Sequence, residues 1–152
     1  MSVSHGISRA AQYAVRTLVH LALERASAAS PVREIAEAEG IPPHFLAKLV
    51  GKLARAGLVD AFKGPGGGIR LAKPPHKIKL MHVIEAVDGP EILAGCFLGL
   101  RACSDEQPCA MHENWKALRM RLAADFDRIT IAQLAATAES TRAVENGPDP
   151  GP

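Results

Sequence analysis

The sequence predicts a mainly α-helical fold, a winged helix-turn-helix with a small β-hairpin wing, followed by a long C-terminal dimerisation helix. Three observations predict it. Apolar residues make up 47% of the chain and aromatic residues only 4%, a composition that favours helices over a β-sandwich. Apolar residues recur at helical spacing in several segments. Five consecutive Gly and Pro residues at 64–68 separate two short β-type runs, as the turn of a hairpin does.

The first three helices follow from apolar periodicity and from the residues that begin and end helices. A long first helix is predicted from Ser8 to Glu24. Ser30 and Pro31 predict the start of the second helix, with the serine as cap and the proline at the first helical position. Gly40 predicts its end. After a short turn, the third helix is predicted over Pro43–Ala56, with one apolar face and an opposite face of small and basic residues.

A hairpin is predicted directly behind this helix-turn-helix. Leu58–Lys63 forms its first strand, residues 64–68 its turn, and Ile69–Leu71 its return strand, in which apolar and basic residues alternate. A hairpin in this position is the wing of a winged helix. A short helix over Leu80–Val87 follows, and Asp88-Gly89-Pro90 ends it.

The C-terminal part predicts a loop, a long helix and a tail. Residues 90–110 have no helical or strand period and contain all three cysteines. The long helix that follows carries an apolar seam at heptad-like spacing, which begins at Met111. Packing on the chain's own domain is possible, but pairing with a second copy is favoured, through Trp115, Leu118, Leu122, Phe126 and Ile129. A last short helix is predicted from Thr130 to Ala138, and residues 139–152 are predicted to be disordered.

Charge is distributed unevenly along the chain. Residues 1–90 carry twelve Lys and Arg against seven Asp and Glu, whereas residues 91–152 carry six against nine. A basic first half indicates a polyanionic partner. The N-terminus lacks a secretory signal pattern and the chain lacks a long apolar run, so we expect a cytoplasmic protein without a membrane partner.

The third helix and the wing supply the residue types that duplex DNA requires. A recognition helix needs a small or polar face above an apolar anchor, and a glycine-rich wing lets the backbone approach a phosphate rail or a narrow groove. Base contacts are predicted for His44, Ala47 and Lys48, and backbone or minor-groove contacts for Lys52, Arg55, Lys63 and Arg70. Pro43 stiffens the start of the helix, and Gly66 and Gly67 form the wing tip. A homodimer would present two such heads to a pseudo-palindromic operator.

The cysteines have the spacing Cys96-x6-Cys103-x5-Cys109-x2-His112. An odd number of cysteines in a cytosolic chain argues against a disulfide framework, and their clustering favours a metal or redox role. Three thiolates on one loop can bind a soft metal, and an imidazole can complete the ligand set. Zinc binding, thiol redox sensing without metal, and a non-ligating His112 at the surface all remain open from the spacing. Paired carboxylates, a nucleophile–base pair and a phosphate loop are not found, which argues against an enzyme or cluster carrier.

Four segments resemble the Rrf-type regulators, which include the IscR, NsrR and RirA branches. They are Gln12-Tyr13-Ala14-Val15 in the first helix, Ala56-Gly57-Leu58-Val59 with the following glycine-rich turn, Ile84–Gly89, and Cys109-Ala110-Met111-His112 with Trp115. The resemblance covers roughly residues 6–136. It implies a DNA-binding transcription regulator that senses redox, nitric oxide or iron status through a 2Fe–2S or 4Fe–4S cluster on Cys96, Cys103 and Cys109.

The ligand pattern is similar to the IscR branch, where a histidine occupies the position of His112. Gln12 stands where the NsrR branch has a carboxylate ligand, and the first intercysteine interval is one residue longer than in the best-known members. The alternative function is a metal-free regulator of the same fold that responds to thiol redox or to a small ligand. The predicted domain bounds are 1–89 for DNA binding, 90–112 for the cysteine loop, 113–138 for dimerisation and 139–152 for the tail.

Overall fold

The protein is described here by a computed structural model, which covers residues 7–24 and 28–138. The predicted tail at 139–152 and the first six residues lie outside this range. Within it, six α-helices, a two-stranded antiparallel sheet and one 3-10 turn follow in the order α1 (Arg9–Glu24), α2 (Val32–Glu39), α3 (Pro43–Arg55), β1 (Val59–Phe62), β2 (Gly68–Leu71), the turn (Pro75–Lys77), α4 (Leu80–Asp88), α5 (His112–Arg128) and α6 (Ile131–Ala136). The mainly α fold with a hairpin wing is thus confirmed.

A single hydrophobic core holds α1 to α4, the wing and α6 together. Its centre consists of side chains with no exposed surface, which come from α1, α2, α3, α4 and α6: Leu18, Ile35, Leu46, Leu53, Val83 and Ile131. Each comes from the apolar face of its helix. Burying a Leu or Ile side chain contributes about 1.5–3 kcal/mol to the stability of the fold. This core fixes the angle at which α3 is presented to solvent.

The start of α2 differs from the prediction. Ser30 does not cap the helix, which begins at Val32 after Pro31. Instead, Ser30 exchanges two backbone hydrogen bonds of 2.8 Å with Ile69, and its hydroxyl donates to Glu24. An extended backbone at Ser30 lets this residue pair with the wing, so its side chain is not in position to cap. Gly40 does end α2, with φ of 64°.

The first strand of the wing is two residues shorter than predicted, the second begins one residue earlier, and the wing is bound tightly to the segment before α2. Its register pairs Val59 with Leu71 and Phe62 with Gly68. At Gly68, φ is 148°, and an added Cβ would lie 2.1 Å from the carbonyl oxygen of Ser30. Only glycine permits this close approach. The wing is therefore held by the body of the domain as well as by its own two strands.

The last helix, α6, begins with a capping box between Thr130 and Gln133. Ile131 is fully buried, and α6 packs against α1. The sequence groups this helix with the dimerisation segment, whereas the structure builds it into the core that α1 to α4 and the wing share. The sequence pattern did not reveal this because a six-residue helix shows too few periods to indicate its packing partner.

The segment between these two parts of the core is different. None of the residues 88–130 is buried. Residues 90–111 form turns and irregular backbone, and α5 follows with its apolar seam only partly covered. Leu118 is 50% exposed. Among the residues described, no helix combines the length and the apolar character needed to cross a membrane.

Candidate functional site

The exposed face of α3 carries the side chains predicted to contact DNA. Leu46, Leu49, Val50 and Leu53 are buried and anchor the opposite face. The helix therefore presents one polar face to solvent, with exposed side chains at Pro43, His44, Ala47, Lys48, Lys52 and Arg55. A helix whose exposed face combines the small residue Ala47 with the cations Lys48, Lys52 and Arg55 fits the shape and charge of a major groove.

Lys52 has a partner within the chain that the sequence did not reveal. Its Nζ donates to the carbonyl oxygen of Val87 at 3.1 Å. The backbone amide of Ser8 donates to the neighbouring Asp88 carboxylate at 3.2 Å, and the Ser8 hydroxyl donates to the same group. The C-terminal end of α4 thus binds both α3 and the start of α1, directly before the cysteine loop. Contacts across 35 and 80 residues leave no signal in local periodicity.

The two predicted wing cations have different surroundings. Lys63 is exposed beside the tip, where Gly66 is exposed and Gly67 is half-buried. Arg70 Nε lies 3.5 Å from Asp60 Oδ2, and its guanidinium lies 4.9 Å from the centre of the Phe62 ring. Because Arg70 is already paired, its charge is partly neutralised before DNA is bound.

The three cysteines lie close together. Their sulfur atoms are all within 4.8 Å of one another, and Sγ of Cys96 lies 3.5 Å from Sγ of Cys109. All three are free thiols. The imidazole Nδ1 of His112, at the first position of α5, lies 3.2 Å from Sγ of Cys103. Three potential ligands from a fourteen-residue segment and a fourth from the start of α5 therefore lie close together.

Two side chains of α5 hold the cysteine loop in place. Trp115 Nε1 and Arg119 Nη1 both donate to the carbonyl oxygen of Gly95, at 3.1 and 2.6 Å. The Trp115 ring also packs edge-on against Phe97, with centroids 5.6 Å apart. The sequence assigned Trp115 only to the dimerisation seam. The spacing of Trp115 and Arg119, one helical turn apart, was the signal that they share a face.

Asp105 is a further residue that the sequence analysis missed. Its Oδ1 accepts hydrogen bonds from His112 Nε2 and from Lys116 Nζ, each at 2.8 Å. These donors, Lys116 foremost, lower the pKa of Asp105 to about 2. The same carboxylate raises the pKa of Lys116. The i,i+4 spacing of His112 and Lys116 could have indicated a shared carboxylate partner.

The thiols themselves differ in acidity. Hydrogen bonds from the backbone of Leu100 and Leu98, together with the neighbouring thiols, lower the pKa of Cys96 to about 7 despite partial desolvation. For Cys103, a backbone hydrogen bond at Cys109 favours the thiolate, but desolvation and the adjacent thiols outweigh it and raise the pKa. Since the thiolate is the form that binds metals, Cys96 is prepared to ligate near neutral pH.

Comparisons with known proteins identify the family. Residues 7–137 match the family described as Rrf2, iron-dependent transcriptional regulator. The HTH-type transcriptional regulator IscR of Aliivibrio salmonicida is 35% identical over 123 residues, which cover 81% of this chain and 73% of that protein. Such relatives are named as transcriptional regulators rather than as enzymes.

Solved structures agree with this assignment. CymR, the global cysteine regulator of B. subtilis, superposes with a TM-score of 0.72 at 27% identity and covers 86% of this chain and 96% of its own. The IscR of T. potens gives a TM-score of 0.69 at 26% identity, with 90% of each chain covered. The chain therefore belongs to the Rrf2 family of transcriptional regulators.

Proposed function

We propose that this regulator is a homodimer that binds a pseudo-palindromic operator through α3 and the wing. Its DNA affinity is set by redox, nitric oxide or iron status through an iron–sulfur cluster, either 2Fe–2S or 4Fe–4S. Cys96, Cys103 and Cys109 ligate the cluster, and His112 is the fourth ligand. The observation that carries this proposal is the convergence of three thiol sulfurs within 4.8 Å, with an imidazole nitrogen beside them.

The donor set fits such a group. Thiolates and imidazole are the ligands that iron–sulfur centres use. Where two thiolates bind one tetrahedral metal ion, as on one iron of a 2Fe–2S cluster or at zinc, bonds of about 2.3 Å separate the sulfurs by roughly 3.8 Å, comparable to the 3.5 Å between Cys96 and Cys109. A cavity of about 300 Å³ adjoins the thiols and is lined in part by Arg119. A cation there suits a group that carries several thiolate charges. The iron dependence in the family description agrees with this choice.

When bound, the cluster supplies redox and small-molecule reactivity at the loop, and the chain's own residues transmit its presence. Trp115 and Arg119 fix the loop to α5 through Gly95. At the other end of the loop, α4 binds Lys52 of α3 through Val87. A change in the conformation of the loop therefore acts on α4 and α5, the two helices that orient the DNA-binding face.

DNA binding is assigned to the exposed faces described above. His44, Ala47 and Lys48 contact bases, while Arg55 and Lys63 contact phosphates. Lys52 and Arg70 already have partners in the chain, which compete with phosphates for their N–H groups. Gly66 and Gly67 let the wing tip approach the minor groove.

Homodimerisation is assigned to α5. Leu118 is half exposed, and Trp115, Leu122, Phe126 and Ile129 are only partly covered by their own chain. A seventeen-residue helix with no fully buried side chain gains stability when a second copy covers its seam. The pairing also sets the separation of the two α3 helices.

A metal-free thiol-redox regulator is the second candidate. The 3.5 Å approach of the Cys96 and Cys109 sulfurs favours it, because the two thiols could form a disulfide on oxidation with little movement of the loop. This candidate predicts that iron leaves DNA binding unchanged.

The test is anaerobic purification followed by iron and sulfide reconstitution. We expect visible absorption bands, with iron and sulfide in equal amounts, and loss of both in Cys96→Ala, Cys103→Ala and Cys109→Ala. Glu106→Ala, an exposed position in the same loop, is the matched control and should stay coloured. A colourless reconstituted wild type, or a zinc-only protein, would contradict the cluster. Affinity for a duplex selected from a random library by the protein, measured with and without the cluster, tests the coupling.

A further inference from the structure

We infer that Asp105 is a positioning residue that makes Nδ1 of His112, rather than Nε2, the nitrogen ligand of the cluster. This inference rests on the proposed function, since it concerns the same ligand set. Asp105 belongs to the loop between the second and third cysteines, and it contacts His112 directly without belonging to the thiol triad.

The two ring nitrogens of His112 face different groups. Nδ1 lies 3.2 Å from Sγ of Cys103, and Nε2 lies 2.8 Å from Oδ1 of Asp105. A neutral imidazole has one N–H and one lone pair, and an ionised carboxylate only accepts hydrogen bonds. The N–H must therefore be on Nε2, which leaves the lone pair on Nδ1, on the side of the cysteines. A ligating histidine whose other nitrogen donates to a carboxylate is a common arrangement in metal sites.

Asp105 is itself held in place. The same Oδ1 accepts from Lys116 Nζ at 2.8 Å. Its loop is closed by the Ser104 hydroxyl, which accepts from the Gln107 amide, and by the Ser104 amide, which donates to the Gln107 carbonyl oxygen. His112 and Lys116 lie one turn apart on α5, so a single carboxylate bridges two successive groups of that helix. Ligation through Nε2 would require the ring to turn and the Asp105 contact to break.

The burial of the two side chains agrees with this assignment of the ring nitrogens. The His112 side chain is 9% exposed, whereas that of Asp105 is 68% exposed. The carboxylate thus stays toward solvent, on the far side of the imidazole from the thiols. Asp105 therefore acts on the imidazole and is not itself a ligand of the cluster. Asp105, His112 and Glu113 also form a separate group of the kind that can hold a hard cation.

The first experiment identifies the ligating nitrogen. The reconstituted, reduced protein is prepared with histidine labelled with ¹⁵N at δ1 or at ε2 only, and the nitrogen couplings to the cluster spin are measured by pulsed EPR. We expect the strong coupling of a direct ligand from the δ1 label, and its loss in His112→Ala. Strong coupling from the ε2 label, or none from either, would overturn the inference.

The second experiment asks whether Asp105 acts through His112. Cluster loss to a chelator is followed by visible absorption in Asp105→Ala, His112→Ala and the double variant. Removal of such a carboxylate typically costs 10–100-fold in metal affinity, so we expect at least about tenfold faster loss in Asp105→Ala. Asp105→Asn, which keeps an acceptor oxygen, should lie between this variant and the wild type. In the His112→Ala background, Asp105→Ala should have no further effect.

The matched control is Asp127→Ala, which removes an exposed aspartate paired with Lys79 at the other end of α5. It should leave the rate of cluster loss unchanged. Equal acceleration by Asp105→Ala in both histidine backgrounds would mean a general effect on the loop and would contradict the positioning role. A wild type that assembles no cluster refutes the proposed function itself, whereas a coloured wild type with the wrong labelled nitrogen refutes only the role of Asp105.

Discussion

Two regions of this molecule are stabilised in different ways. The head, residues 7–87 with α6, is organised around side chains with no exposed surface, such as Leu18, Leu46 and Ile131. The arm, residues 88–130, contains no buried residue. Its order depends on polar contacts to a loop, such as those of Trp115 and Arg119 with Gly95.

This difference shows what each region needs in order to keep its conformation. Buried apolar side chains contribute about 1.5–3 kcal/mol each, whereas exposed ion pairs contribute roughly 0–1 kcal/mol. The head therefore has the means to hold its DNA-binding face rigid by itself. Under the proposed function, the arm gains most stability from what would bind it, a metal group at its cysteines or a second copy on α5. A sensing element must be of this kind, because its conformation has to depend on its ligand.

The largest expected effect tests the contrast with the same substitution in each region. Leu46→Ala removes a side chain with no exposed surface from the head, and Leu118→Ala removes one that is 50% exposed on the arm. We expect Leu46→Ala to lower the free energy of unfolding by roughly 2–5 kcal/mol. Leu118→Ala should lower that of the isolated chain by less than about 0.5 kcal/mol. Chemical denaturation at low protein concentration measures both.

Oligomeric state provides the second half of this test. If α5 pairs with its copy, Leu118→Ala should shift the monomer–dimer equilibrium toward monomer in sedimentation experiments, and the fold of the head should be unchanged. A dimer as tight as that of the wild type would place the interface elsewhere. A loss of stability as large as that of Leu46→Ala, independent of concentration, would mean that the arm has an apolar core of its own.

Sequence reasoning predicted the head well and the arm only in outline. Helical periodicity and the glycine-rich turn reveal the head because burial imposes a repeating apolar pattern. One exception is Ser30, whose pairing with Ile69 depends on a residue 39 positions away; the packing of α6 and the Lys52–Val87 contact are others. In the arm, the cysteine spacing indicated which thiols converge. The contacts of Asp105 and of Gly95 are set by loop conformation, which leaves no repeating pattern in the sequence.

A smaller effect is expected where the two regions meet, at α3. Lys48 is exposed on the DNA-binding face, whereas Lys52 Nζ donates to the Val87 carbonyl oxygen where the arm begins. Lys48→Ala should weaken binding to the selected duplex by about 1–3 kcal/mol, as loss of a base contact does. Lys52→Ala should leave the salt dependence of affinity unchanged, because the Lys52 ammonium binds the Val87 carbonyl oxygen and not a phosphate. Fluorescence anisotropy at several salt concentrations measures both quantities.

The two lysines serve as controls for each other, since each substitution removes one positive charge from α3. A decrease of about one in the salt slope for Lys52→Ala would show that this side chain leaves Val87 for a phosphate. That outcome would support the phosphate contact of Lys52 that the sequence predicts. It would also mean that the Lys52–Val87 hydrogen bond does not connect head and arm when DNA is bound. The double variant should be additive if the two residues act independently.

The smallest expected effect asks whether the arm is ordered without metal. Backbone hydrogen bonds at Leu100 and Leu98 lower the pKa of Cys96 from 9.0 to about 7, whereas the pKa of Cys103 is raised. A lowered pKa means that the thiolate of Cys96 forms as pH rises through 7, well before that of Cys103. In reduced, metal-free protein at pH 7, iodoacetamide should alkylate Cys96 about fivefold faster than Cys103. This figure allows for the weaker nucleophilicity of an acidic thiolate.

Mass spectrometry of the alkylated peptides over a pH series measures each cysteine separately. Urea-unfolded protein is the control, because there the loop hydrogen bonds are absent and Cys96 and Cys103 should react at similar rates. Equal rates in the folded protein would show that the backbone hydrogen bonds at Cys96 do not form before a ligand binds. Different rates would show that the turns of the loop and their anchors on α5 organise the thiols in advance. In that case, a metal bound as proposed would stabilise an arrangement that the polar contacts of the arm already hold.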